Sequence, residues 1–127
     1  MYLTEKITMA SISYTIFITL KEDAIIRIGQ LGTFMFPKGD YAYTGSARKN
    51  IQRRIARHYR RERKKLRWHI DFLLNHHAVR IIRVEISDLE ECVLNQSING
   101  EIIIPGFGAS DCKYHCRSHL KRLINAL

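Results

Sequence analysis

Twenty consecutive residues, Arg48 to Arg67, hold eleven lysines and arginines against a single acid, Glu62. Outside this stretch ten basic residues meet eleven acidic ones, so the +9 charge of the 127-residue chain is concentrated there. A cluster of like charges is a poor way to stabilise a small domain, because solvated helix faces ordinarily mix signs to limit self-repulsion. The segment must also be held to a core by what little it has that is apolar. Ile51, Ile55 and Tyr59 recur every four residues, which predicts a helix with one narrow apolar stripe and charge over the rest of its surface. Such a face attracts polyanions and releases counterions when phosphates bind. A nucleic-acid partner, DNA or secondarily RNA, is expected.

The flanking sequence predicts the scaffold. "SYTIFITL" (13–20) is an apolar, β-rich strand and "AIIRIG" (24–29) a second, joined to it by a hairpin-like "KED". "TFMF" (33–36) and "DYAYTG" (40–45) follow, separated by the turn residues of "PKG". After the basic helix, "LRWHIDFLLNHH" (66–77) reads as a helix anchored by Trp68, Phe72 and Leu73-Leu74, and "VRIIRVEI" (79–86) as a strand. "DLEECVLNQSI" (88–98) reads as a helix capped by Asp88 with Glu91 three residues on. "EIIIP" is a short strand, "GFGASDCKYHC" a glycine-rich loop and "CRSHLKRLINAL" a closing helix. One α+β domain over residues 1–127 is expected, with a small, mostly antiparallel sheet of three or more strands flanked by helices.

No apolar run approaches the roughly 20 residues that span a bilayer, and the narrow stripe of the basic helix does not suit a membrane surface. The N-terminal twenty residues alternate apolar and polar and lack a signal-peptide cleavage site. A cytoplasmic domain, monomeric or weakly self-associating, is expected, with Cys92, Cys112 and Cys116 as reduced thiols.

Chemistry concentrates around the start of the basic helix. Gly45-Ser46, read as a turn between strand and helix, lets backbone approach a ligand. Tyr41 and Tyr43 share one strand face, and Tyr14 reaches it if the two strands pair. Arg54 and His58, four residues apart, are helix neighbours bordering the apolar stripe. A phenol or imidazole can move a proton, and a guanidinium can bind a phosphate through two bonds while charge builds.

These residues resemble the GIY-YIG nuclease superfamily, found in excision-repair incision enzymes and some homing endonucleases. "ISY" (Ile12-Ser13-Tyr14) stands at its first motif, "YTG" (Tyr43-Thr44-Gly45) at its second, and "NIQRRIARH" supplies Arg54 and His58. With "WHIDFLL" and "GFGASDC…SHL", the chain looks like a divergent branch of small proteins that occur alone or joined to base-excision-repair glycosylase domains. The resemblance spans about residues 12 to 120. It implies a metal-dependent DNA endonuclease acting in repair or on non-standard DNA, with Mg2+ or Mn2+ as cofactor and Tyr14, Tyr43, Arg54 and His58 as catalytic residues. Gly45, Ser46, Arg48, Arg53, Arg57, Arg61, Lys64 and Lys65 would bind the nucleic-acid backbone, which positions it without reading sequence. The chain departs from the pattern at Ile12, where the first motif has glycine. Asn95 and Gln96 stand where a metal-binding glutamate is expected, leaving Glu91, or Asp71 of "WHID", as metal ligand. A binding module without activity is the alternative, since an amide offers a hard cation no negative charge. Cys112, Cys116 and His119, with His115 and Cys92 nearby, are candidate zinc ligands; packed thiols, with Asp111 as a helix cap, are the competing reading.

Overall fold

A computed structural model describes residues 12–47, 49–61, 65–109 and 116–125. Arg48, Lys64, Asp111, Cys112 and His115 lie outside the described residues. The fold is α+β, with a five-strand antiparallel sheet, a two-strand sheet and, among the described residues, three α-helices.

Strand β1 (Ser13–Leu20) lies at the heart of the larger sheet, between β4 (Gly39–Ser46) and β5 (Val79–Ser87). β7 (Leu120–Leu123) pairs with the other edge of β4, and the two-residue β6 (Gly100–Glu101) pairs with β7. Period-two alternation puts Tyr14, Ile16, Ile18 and Leu20 on one face, each at most 1% exposed. The apolar positions of β5 change phase midway, from Val79 and Ile81 to Val84 and Ile86. A register shift opposite Phe17/Ile18 absorbs the change: Arg83 pairs with Phe17 and Ile81 with Ile18, so Ile82 is the extra residue. The bulge keeps both halves of the strand facing the core and leaves Ile82 exposed.

The first strand does not form a hairpin with the second, as the sequence suggested. β2 (Ala24–Ile28) instead pairs with β3 (Gly32–Phe36) across a short 3-10 turn, Gly29–Leu31. Helix α1 (Ile51–Tyr59) forms where predicted and buries Ile51 and Ile55. Helix α2 (His69–Leu74) is shorter than the predicted 66–77. The Asp71 carboxylate accepts the backbone N–H groups of Arg67 (2.8 Å) and Trp68 (2.9 Å), so it caps the helix only after Trp68. Helix α3 (Glu91–Ser97) starts at Glu91 with Glu90 in the capping position, so Asp88 does not cap it.

The predicted closing helix is the larger correction. Residues 120–123 form a strand, with Tyr41 opposite Arg122 and Tyr43 opposite Leu120. The otherwise unpaired edge of β4 outweighs the helical periodicity of a short segment. "EIIIP" likewise keeps only Glu101 in a strand, and Ile104 turns inward to the core. No helix of the described residues is long and apolar enough to cross a membrane.

Candidate active site

The antiparallel register of β1 and β4 sets Tyr14 opposite Gly45 and Ile16 opposite Tyr43. Tyr14 and Tyr43 are therefore diagonal neighbours on one face. Gly45 and Ser46 belong to β4 and form no turn; the chain turns afterwards, with Asn50 in the left-handed region at φ 56°. Gly45 has a different task from the one its sequence position suggested. A methyl there would lie 2.6 Å from the Tyr14 hydroxyl oxygen and 2.7 Å from its ring, so the glycine makes room for that phenol.

Helix α1 brings Arg54 and His58 to the same place. The Tyr14 hydroxyl lies 2.6 Å from His58 Nε2, with both side chains 1% exposed. The Arg54 guanidinium acts on the same phenol and favours its charged form. The phenol donates to Nε2 or accepts from an Nε2–H according to the tautomer of His58. Burial pushes the pKa of Tyr14 well above the ordinary phenol value; Tyr43 adds to the rise, while Arg54 opposes it. The resting phenol is protonated.

Tyr43 packs edge-on against Phe107 and His58. Together Tyr14, Tyr43, Ser46, Arg54, Arg67, Trp68, His69, Glu91 and Gly108 enclose a cleft of about 250 Å³. Four of these were not singled out as site residues: Arg67, Trp68, His69 and Gly108. His69 Nδ1 accepts the Gly108 backbone N–H at 2.8 Å, and burial lowers the pKa of the ring. His69 is thus a neutral imidazole whose remaining N–H, on Nε2, can donate. Gly108 holds φ at +67°, and a methyl there would press on Tyr43 at 3.1 Å.

Trp68 is no core anchor. It is 37% exposed, with the guanidinium carbons of Arg54 and Arg57 at 4.6 and 4.4 Å from the ring centroid. Arg54 and Trp68 also line a second, outer hollow of about 620 Å³, where Lys49, Arg53, Arg57 and Arg60 surround them. A basic groove thus runs up to the cleft wall.

The expected phosphate-binding cations divide into two groups. Arg53 and Arg60 are exposed on the outer groove, and Lys65 is exposed beyond the helix. Arg57 instead forms a two-pronged ion pair with Asp71 (2.7 and 2.9 Å) and donates to the Lys65 carbonyl. Arg61 donates to the carbonyls of His76 and Val79, tying the end of α1 to β5. Burial alone would raise the Asp71 pKa, but Arg57 and two backbone N–H groups hold it below the usual value. Asp71 is fully buried and does not line the cleft, so it is unsuited to ligating a metal there.

Glu91, at the start of α3, is the acid on the cleft wall, 30% exposed at its side chain. Ser46 Oγ donates to its Oε1 at 3.3 Å, and its Oε2 lies 3.3 Å from His119 Nδ1 without the alignment of a hydrogen bond. Behind it Cys92, Cys116 and His119 converge.

The model of one protein family, described as a domain of unknown function, DUF123, matches residues 13–126. No curated protein and no solved structure matches the chain.

Proposed function

We propose that this chain, which belongs to the DUF123 family, is a metal-dependent endonuclease that hydrolyses phosphodiester bonds in DNA. The reading rests on one observation above the others: the buried Tyr14–His58 hydrogen bond, with Tyr14 and Arg54 both lining a cleft beside a basic groove. The motif resemblance to GIY-YIG nucleases supports the same residues. DNA repair or the processing of non-standard DNA is the setting that resemblance suggests.

Each residue has a part that its surroundings support. Arg54 binds a non-bridging phosphate oxygen and offsets charge as the fifth oxygen approaches. Tyr14 takes the proton of the attacking water while passing its own to His58 Nε2. A phenol of such high pKa becomes an effective base only when its own proton leaves in the same event, and His58 provides the place for it. The relay leaves an imidazolium buried beside a neutral phenol. The new P–O bond forms from water, the opposite P–O ester bond breaks, and His69 on the cleft wall would donate from Nε2–H to the developing negative charge. Tyr43 walls the cleft and holds the His58 ring edge-on.

One carboxylate on the wall suits a cation such as Mg2+ or Mn2+, which keeps several waters and takes its other ligands from substrate phosphate. Glu91 would hold it. Once bound, the ion would polarise the scissile phosphate and stabilise the leaving oxygen. Arg53, Arg60 and Lys65 would hold the DNA backbone along the outer groove.

A second reading, binding without cleavage, is favoured by the neighbours that both Glu91 oxygens already have. A cleavage screen over plasmid, flap, junction and abasic DNA with Mg2+ and Mn2+ separates the two. Ion-dependent nicking supports the enzyme. Salt-sensitive binding with no product under either ion supports the binding module.

A further inference from the structure

We propose that Cys92, Cys116 and His119 form a zinc site, independent of the cleavage reaction and built against the back of the cleft. One ligand atom from each residue lies within 4.8 Å of the other two. Tetrahedral zinc, with sulfur at about 2.3 Å, places its sulfur ligands about 3.8 Å apart, so side-chain adjustments of about 1 Å close the set. Two thiolates and an imidazole are ligands that favour zinc over the hard cations proposed for the cleft.

The most telling residue is His119. Its ring is 3% exposed, and its two nitrogens face different partners. Nδ1 lies beside Glu91 Oε2 at 3.3 Å, while Nε2 points toward Cys92 Sγ at 4.0 Å. Histidines that ligate metals commonly give their other nitrogen to a carboxylate, which fixes the tautomer and orients the ring. Glu91 stands in that position. The His119 backbone is fixed as well: its N–H donates to the Phe107 carbonyl (2.8 Å) and its carbonyl accepts from Thr44 (3.0 Å). The ligand is therefore attached to the sheet at a defined place.

Cys92 rides on α3, whereas Cys116 and His119 precede β7. An ion here would join α3 to the segment that completes the sheet beside β4. Both thiols are half-buried. Three protein ligands leave the fourth position for water or another small donor. Glu91 is common to this site and the cleft, so a loaded ion would also steady the carboxylate on the cleft wall.

Elemental analysis of the full chain, purified without chelators under reducing conditions, tests the proposal directly. One zinc per chain is expected. Cobalt titration of chelated protein should give tetrahedral d–d bands with a thiolate-to-metal charge-transfer band, lost in both Cys92→Ala and Cys116→Ala. Glu91→Gln should keep the one-to-one stoichiometry but weaken affinity about 10–100-fold. Should the cysteine variants fold poorly, alkylation of the unmutated chain serves instead: Cys92 and Cys116 should be protected by zinc and react once it is removed. Chelated protein that gives no such charge-transfer band on cobalt addition, zinc retained in both cysteine variants, or a Cys92–Cys116 disulfide that forms despite added zinc would overturn the proposal. None of these readouts depends on DNA cleavage.

Discussion

Tyr14 and His58, contributed by a strand and a helix forty-four residues apart, meet at 2.6 Å with almost no solvent access. The proposed proton relay needs the phenol as donor and His58 Nε2 as acceptor. Nitrogen NMR of the histidine rings should therefore show His58 as the neutral Nδ1–H tautomer at pH 7, and His69 as Nε2–H. Tyr14→Phe should release His58 from that tautomer while leaving His69 unchanged. A protonated His58 at pH 7 would contradict the assigned direction.

Gly45 is tied to Tyr14 by contact and not by turn geometry. Gly45→Ala is expected to cost roughly 1–3 kcal/mol, because the added methyl cannot share space with the phenol. The same change in a Tyr14→Ala background should cost far less. Equal costs in the two backgrounds, measured by urea unfolding, would show that the glycine serves another purpose.

The Arg57–Asp71 pair anchors α1 to α2 under Trp68. Removing the carboxylate with Asp71→Ala should destabilise the fold by roughly 3 kcal/mol, since it strands a half-buried guanidinium and uncaps a helix. The pH dependence follows from the sign of the shift. The folded pKa of Asp71 is lowered, so its contribution is present above the unfolded value near 3.8 and is lost as pH falls through the folded one. Unfolding free energy followed below pH 4 should fall more steeply in the unmutated chain than in Asp71→Ala.

The division among the basic residues yields a binding experiment. Arg53→Ala and Arg60→Ala should each make the salt dependence of DNA affinity shallower, by about 0.9 in log–log slope per lost phosphate contact, without changing stability. Arg61→Ala should lower stability, because its guanidinium holds the carbonyls of His76 and Val79. Identical behaviour of all three variants in both measurements would show the division to be wrong.

Local pattern was enough to foresee the strands β1 to β5 and helix α1, because alternation and a four-residue apolar repeat report directly on one buried face. Tyr14, Tyr43, Arg54 and His58 could be grouped because strand pairing and helix neighbours bring them together. The partners of Arg57, Arg61 and Asp71 could not be foreseen, since they join elements whose relative placement depends on the whole core. His69 and Gly108 were hidden for a related reason: a loop thirty-nine residues downstream supplies the N–H that orients the ring. The closing strand was missed because residues 120–123 pair with an edge of β4 that only the assembled sheet presents. The bulge within β5 was not foreseen, since residues 79–86 were read as one alternating strand; it follows from keeping both halves inside.

Single-turnover nicking of supercoiled DNA with Mn2+, compared among the unmutated chain, Tyr14→Phe and Arg54→Ala, tests the proposed chemistry most directly. With folding verified for each variant, both substitutions should slow cleavage by about 100-fold or more, Tyr14→Phe through the lost proton relay and Arg54→Ala through lost charge stabilisation. Rates within about 3-fold of the unmutated chain for both variants, well below what loss of a proton-transfer group costs, would contradict the assignment of this cleft as the catalytic site.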